Sequence, residues 1–149
     1  MAHSDDLILE LKRVLPAAPL VVFEAFSDPS RLAKWWGPEG FTIPSMGFEP
    51  RAGGSYRIAM KPPEGETFHL TGEFREVDPP THLAFTFAWE PADADDVVTV
   101  ADLSFRDLDG STEVSFTQGP FKTQARRALH LDGWSDSFGK LDRLLSSHA

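Results

Sequence analysis

The 149-residue chain carries a formal net charge of -9, with 12 Phe and 4 Trp against a single Tyr and no cysteine. That charge argues against a phosphate-backbone binder, which needs a basic stripe, and against docking on an anionic membrane surface. The missing cysteines exclude disulfides, thiolate nucleophiles and thiolate metal sites.

A chain of this length suits one domain over residues 1–149 that buries roughly 70% of its unfolded surface. A Phe-rich interior has no polar atoms to satisfy and can be dry enough to accept an apolar ligand. No apolar run approaches the roughly 18 residues of a membrane span, and Met1 to Asp6 is polar and acidic, unlike a signal peptide. Cytoplasmic residence without membrane insertion is the expectation.

Leu7 to Leu15 alternates as a strand, with Leu7, Leu9 and Leu11 on one face, and Pro16 ends it. Ala17 to Phe26 reads as a short helix with Pro19 in its first turn. Ser27-Asp28-Pro29-Ser30 breaks it, and a second short helix runs from Ser30 to Trp36 with Asp28 as its N-cap. From Phe41 onward, turns recur about every ten residues, an antiparallel pattern. Phe41 to Pro50 reads as an edge strand that can pair with a copy of itself, so a homodimer is compatible with the sequence. The pair Gly53-Gly54 marks a tight turn with close backbone approach. Tyr56, Ile58 and Met60 share a face of the next strand. Phe68, Leu70, Gly72 and Phe74 share a face of the one after, and Leu83, Phe85, Phe87 and Trp89 do so in the following strand. Strands near Val97 to Arg106 and Thr112 to Gln118 are joined by an Asp109-Gly110 hairpin signal.

The last segment has helical period. Leu131, Trp134, Phe138, Leu141 and Leu145 step by three and four, and Phe121, Ala125 and Ala128 extend the stripe backward, so a long helix starts near Phe121. So wide an apolar stripe requires a large apolar surface, which the concave face of the sheet provides. The fold class is therefore α+β: a curved antiparallel sheet around a C-terminal helix, with two short helices after the first strand. Gly133 inside that helix costs about 1 kcal/mol relative to alanine and points to a close contact or bend near a pocket mouth.

Motifs for common chemistry are missing. There is no Gly-x-Gly-x-x-Gly and no Gly-x-Ser-x-Gly. Gly133 to Lys140 imitates a phosphate loop, but five residues separate its glycines and Leu141 stands where Ser or Thr is required. The histidines lack metal-ligand spacing, and the Asp93, Asp95, Asp96 run reads as a solvated acidic loop. No cofactor is implied. His130 reads either as a core-edge histidine satisfied by a hydrogen bond or as a polar group that orients a ligand. Glu10, Glu76 and Asp102 read as solvent-facing strand charges.

Five segments carry a resemblance. They are Phe23-Glu24-Ala25-Phe26-Ser27-Asp28-Pro29, Leu32-Ala33-Lys34-Trp35-Trp36-Gly37-Pro38, Arg51-Ala52-Gly53-Gly54-Ser55-Tyr56-Arg57, Gly72-Glu73-Phe74-Arg75-Glu76-Val77-Asp78-Pro79-Pro80, and His130-Leu131-Asp132-Gly133-Trp134. Together, from about Leu7 to Leu145, the chain resembles the Activator of Hsp90 ATPase homologue-like family of the START-like (SRPBCC, Bet v 1-like) superfamily. The resemblance implies a helix-grip fold with a deep cavity between sheet and C-terminal helix.

The expected cavity wall is Trp36, Phe41, Tyr56, Ile58, Phe68, Phe74 and Phe85, with Phe87, Phe105, Phe116, His130, Trp134 and Phe138. The function this implies is binding of a hydrophobic small molecule, lipid or polyketide-like, with a link to stress response. The alternatives are a cavity-based enzyme (cyclase or hydrolase) and a co-chaperone-like partner of heat-shock protein 90. The co-chaperone that names the family has an extra N-terminal domain for which 149 residues leave no room, so chaperone activation is not expected to carry over.

Overall fold

The computed structural model describes residues 7–37, 40–94 and 96–146. Strand β1 (Leu9–Leu15) is followed by helices α1 (Pro19–Ser27) and α2 (Pro29–Leu32). Then come strands β2 (Met46–Phe48), β3 (Ser55–Met60), β4 (Phe68–Asp78), β5 (His82–Glu90), β6 (Thr99–Asp107) and β7 (Thr112–Gly119), and helix α3 (Gln124–Ser146) closes the chain. The seven strands form one curved sheet in the order β1-β7-β6-β5-β4-β3-β2, every pair antiparallel. This is the helix-grip architecture that the sequence predicts.

Alternation along β3 to β7 puts Ile58, Leu70, Phe85, Leu103 and Phe116 in the buried interior. Helix α3 lies across that concave face, where Trp134 and Phe138 meet the Phe116 ring at 4.5 and 6.0 Å. Helices α1 and α2 close one end. There the Phe26 ring meets Trp35 edge-on at 4.7 Å, and the Trp35 indole N–H donates to the Ala25 carbonyl at 3.0 Å.

Three expectations need correction. The long helix begins at Gln124, not Phe121: Pro120 cannot donate to a helix ladder, and the Thr123 hydroxyl caps the new end by accepting from the Arg126 N–H at 3.1 Å. Phe121 is buried from an extended segment, its N–H bonded to the Leu7 carbonyl, while Ala125 and Ala128 are exposed and not part of the stripe. The second short helix stops at Leu32, with Asp28 capping it as expected through the Ser30 N–H. The edge segment 41–50 pairs over Met46–Phe48 plus a Thr42–Lys61 bridge, since Pro44 and Pro50 lack the N–H that a longer ladder needs. The Gly53-Gly54 turn is as tight as the sequence suggests: Gly53 has φ +83°, and a Cβ on Gly54 would come within 2.2 Å of the Glu49 carbonyl oxygen.

Candidate functional site

Helix α3 is not packed evenly along its length. Its C-terminal half is sealed by Phe138, Leu141 and Leu145, all buried. Its N-terminal half, from Arg126 to Ser137, instead faces a cavity of about 420 Å³ that opens to solvent. Two sources of wall explain the space. The ends of β3, β4 and β5 contribute Met60, Phe68, Phe87 and Trp89, while the connection after α2 contributes Trp36, Gly37 and Phe41. The loop after β5 adds Pro91, Asp93 and Asp96, and α3 adds Arg126, Leu129, His130, Gly133, Trp134 and Ser137. The wall is mostly aromatic and apolar, with its charged groups gathered on the β5 loop and the first turn of α3.

Of the residues expected to form the wall, Trp36, Phe41, Phe68, Phe87, His130 and Trp134 line this cavity. Tyr56, Ile58, Phe74 and Phe85 instead surround a void of only about 10 Å³ deeper under the sheet. Phe105, Phe116 and Phe138 border neither space and are packed into solid core, where Phe23 and Phe26 fill the volume beside Phe105 at 5.4 and 5.6 Å. Tyr56 is tied down by its own chemistry. Its hydroxyl donates to the Thr86 carbonyl at 2.6 Å, and burial pushes its pKa well above the usual value.

The polar groups of the wall are mostly engaged with one another. The Arg126 carbonyl can only accept, so His130 must carry its proton on Nδ1 and donate there at 2.8 Å. Its Nε2 then accepts from the Trp89 indole N–H at 2.9 Å. Burial holds the His130 pKa below its ordinary value, against smaller upward effects of the Arg126 carbonyl and Asp96. Trp134 donates to the Gln118 side-chain oxygen at 2.7 Å, and the Gln118 amide donates to Thr99 at 2.9 Å. The Arg126 guanidinium sits 2.9 Å from Asp93 and 3.6 Å from Asp96, and the Lys122 ammonium holds the same loop through the Ala94 carbonyl at 2.8 Å. Asp95 lies outside the described residues, among which no group of three His, Asp or Glu could hold a metal ion.

With this geometry in view, the comparison with known families is decisive: the profile described as Activator of Hsp90 ATPase homolog 1-like protein matches residues 16–146. The chain belongs to that family. Among solved structures, the AHSA1 protein from Silicibacter pomeroyi superposes with a TM-score of 0.84 at 26% identity, covering 95% of this chain and 99% of that one. A protein from Chromobacterium violaceum gives 0.82 at 27% identity, with 93% and 96% covered. One from Nitrosomonas europaea gives 0.81 at 27%, with 96% of each covered. No curated protein matches the chain. No described helix is long and apolar enough to cross a membrane.

Sequence reasoning missed several groups in this Activator of Hsp90 ATPase homolog 1-like chain. Met60 and Trp89 lie on strand faces already recognised as inward and could have been added to the wall by that signal alone. Asp93, Asp96, Arg126 and Ser137 could not, because their convergence depends on how the β5 loop folds over α3. A second cluster lies on the convex side of the sheet. There the His82 ring is bracketed by carboxylates, with Nδ1 against Glu76 and Nε2 2.9 Å from Asp102. Glu76 and Asp102 are the cross-strand partners of Ala84, whose small side chain leaves them within diagonal reach of His82. Strict alternation would have turned Glu76 inward with Phe74. A β-bulge between them reverses the parity.

Proposed function

We propose that this protein binds a hydrophobic small molecule, lipid or polyketide-like, in the cavity between β3–β5 and the N-terminal half of α3. The observation that carries this reading is the cavity itself. At about 420 Å³ it falls within the roughly 300–1,000 Å³ range of small-molecule sites, and its aromatic wall with few polar groups is typical of them. Membership of a family with a ligand-binding fold supports the same reading. The engagement of both His130 ring nitrogens favours holding a ligand over exchanging protons with one, so binding is preferred here to cyclase or hydrolase chemistry.

Thermal-shift and native mass-spectrometric screening against fatty acids, sterols and aromatic polyketides tests the proposal. A saturable one-to-one complex is expected, weakened at least tenfold by Phe87→Ala. Absence of any saturable ligand, or a complex indifferent to Phe87, would count against it.

A further inference from the structure

The wall of the cavity is polar in a selective way, and that selectivity bears on which molecules it takes. Four of its side-chain nitrogens are engaged inside the protein: the Trp89 and Trp134 indole N–H groups and both ring nitrogens of His130. These residues therefore offer a ligand their ring faces and edges. Ser137 differs. The residue is only 3% exposed and lines this cavity alone among the pockets described. Among the described residues its hydroxyl has no hydrogen-bond partner, and neither does the indole N–H of Trp36, another wall residue. Among the described residues, no side-chain polar atom closed off from open space lacks a partner. The Ser137 hydroxyl consequently opens into the cavity, where it can donate to a guest.

Charge at the mouth works in the opposite direction. Among the described residues the wall contains one cation, Arg126, and two carboxylates, Asp93 and Asp96, a net charge of minus one for those three groups. Arg126 is turned toward both of them, and the Asp96 side chain is only 7% exposed, so this pairing sits at the edge of a low-dielectric space. Lys122, just outside the wall, is held by the Ala94 carbonyl. A carboxylate guest would have to displace an aspartate from Arg126 or lie uncompensated beside two like charges, and an unpaired charge in an apolar site is strongly disfavoured. The chain's net charge of -9 adds repulsion at long range.

We infer that the cavity selects an uncharged aromatic molecule bearing a hydrogen-bond-accepting oxygen, a ketone or hydroxyl met by Ser137, and discriminates against carboxylate amphiphiles. The aromatic part follows from the walls. Trp36, Phe41, Phe68, Phe87, Trp89 and Trp134 approach from the sheet, the α2 connection and α3, and such rings pair best edge-to-face or offset with other rings. This inference rests on the reading of the cavity as a ligand site, and the experiment separates the two.

Four probes are titrated calorimetrically at pH 7 against the full chain: 2-acetylnaphthalene, naphthalene, 2-naphthoate and dodecanoate. The ketone should bind best. Naphthalene should be about fivefold weaker for want of one neutral hydrogen bond, and 2-naphthoate at least about tenfold weaker than the ketone. Ser137→Ala should narrow the affinity gap between the ketone and naphthalene several-fold. Asp93→Asn, at an exposed position, should raise 2-naphthoate affinity several-fold relative to that of the ketone. Equal or tighter binding of 2-naphthoate or dodecanoate overturns the inference and leaves ligand binding standing, and so does a gap between ketone and naphthalene unmoved by Ser137→Ala. If none of the four binds to folded protein, the inference falls together with the function on which it rests.

Discussion

Two histidines on opposite faces of one sheet show how this fold assigns charge. On the concave side, His130 is buried between a carbonyl and an indole N–H, both neutral. Burial keeps its pKa low and the ring uncharged. On the convex side, His82 stands between Asp102 and Glu76. Burial alone would lower its pKa too, but the two carboxylates, Asp102 first, outweigh that and hold it raised. The same side chain is neutral where it borders the apolar cavity and prone to charge where water and carboxylates surround it. The interior of the cavity is thus kept free of mobile charge, and the ionic chemistry is confined to its mouth and to the outer face.

The contrast predicts different responses on the two faces. The largest is expected for Phe87→Ala on the concave face, which should cost about 3 kcal/mol in urea unfolding. This is the low end for a buried Phe, because the ring already borders open space. His130→Leu comes next, at about 1–3 kcal/mol, because it orphans the buried Trp89 indole N–H and leaves the Arg126 carbonyl with only its helical partner. The same variant should flatten the acid side of the stability profile. A histidine whose pKa is lowered by folding takes up its proton first in the unfolded chain, so its contribution is full above about 6.5 and declines as pH falls below that. His82 has the opposite sign. Its raised pKa contributes stability fully below about 6.5, and that contribution disappears as pH rises through the folded value. His82→Gln should remove that alkaline-side decline. Its size should stay under about 1 kcal/mol, because Glu76 and Asp102 are half exposed and screened. Ser137→Ala should change stability least, by less than about 0.5 kcal/mol, since its hydroxyl has no protein partner among the described residues. Parallel pH profiles for the two histidine variants would break the comparison.

The elements that repeat a period were legible in the sequence. Alternation placed Ile58, Leu70, Phe85 and Phe87 inward, and steps of three and four placed Trp134, Phe138 and Leu141 under the sheet. The same period misled at Phe121, because a stripe continues on paper past Pro120 and the capping Thr123 where the helix in fact begins, and at Ala125 and Ala128, which are helical but exposed. The cavity was less legible for a related reason. Phe105, Phe116 and Phe138 share the pattern of the wall residues, yet solid packing surrounds them, since periodicity gives the face of a side chain and not whether anything fills the space before it. The His82 cluster required the bulge near Glu76, and the charged mouth required the β5 loop. Both are non-periodic features that appear only when strands and loops are placed together.

The tryptophans provide the most direct test of the cavity as a binding site. Trp36 and Trp89 line the cavity, whereas Trp35 is fully buried in the α1–α2 end with its indole N–H on the Ala25 carbonyl. Titration of 2-acetylnaphthalene, followed by the indole N–H resonances in a nitrogen–proton correlation spectrum, should move the Trp36 and Trp89 signals saturably and leave Trp35 in place. Unmoved cavity signals, or shifts of equal size at Trp35, would contradict a ligand site between the sheet and α3.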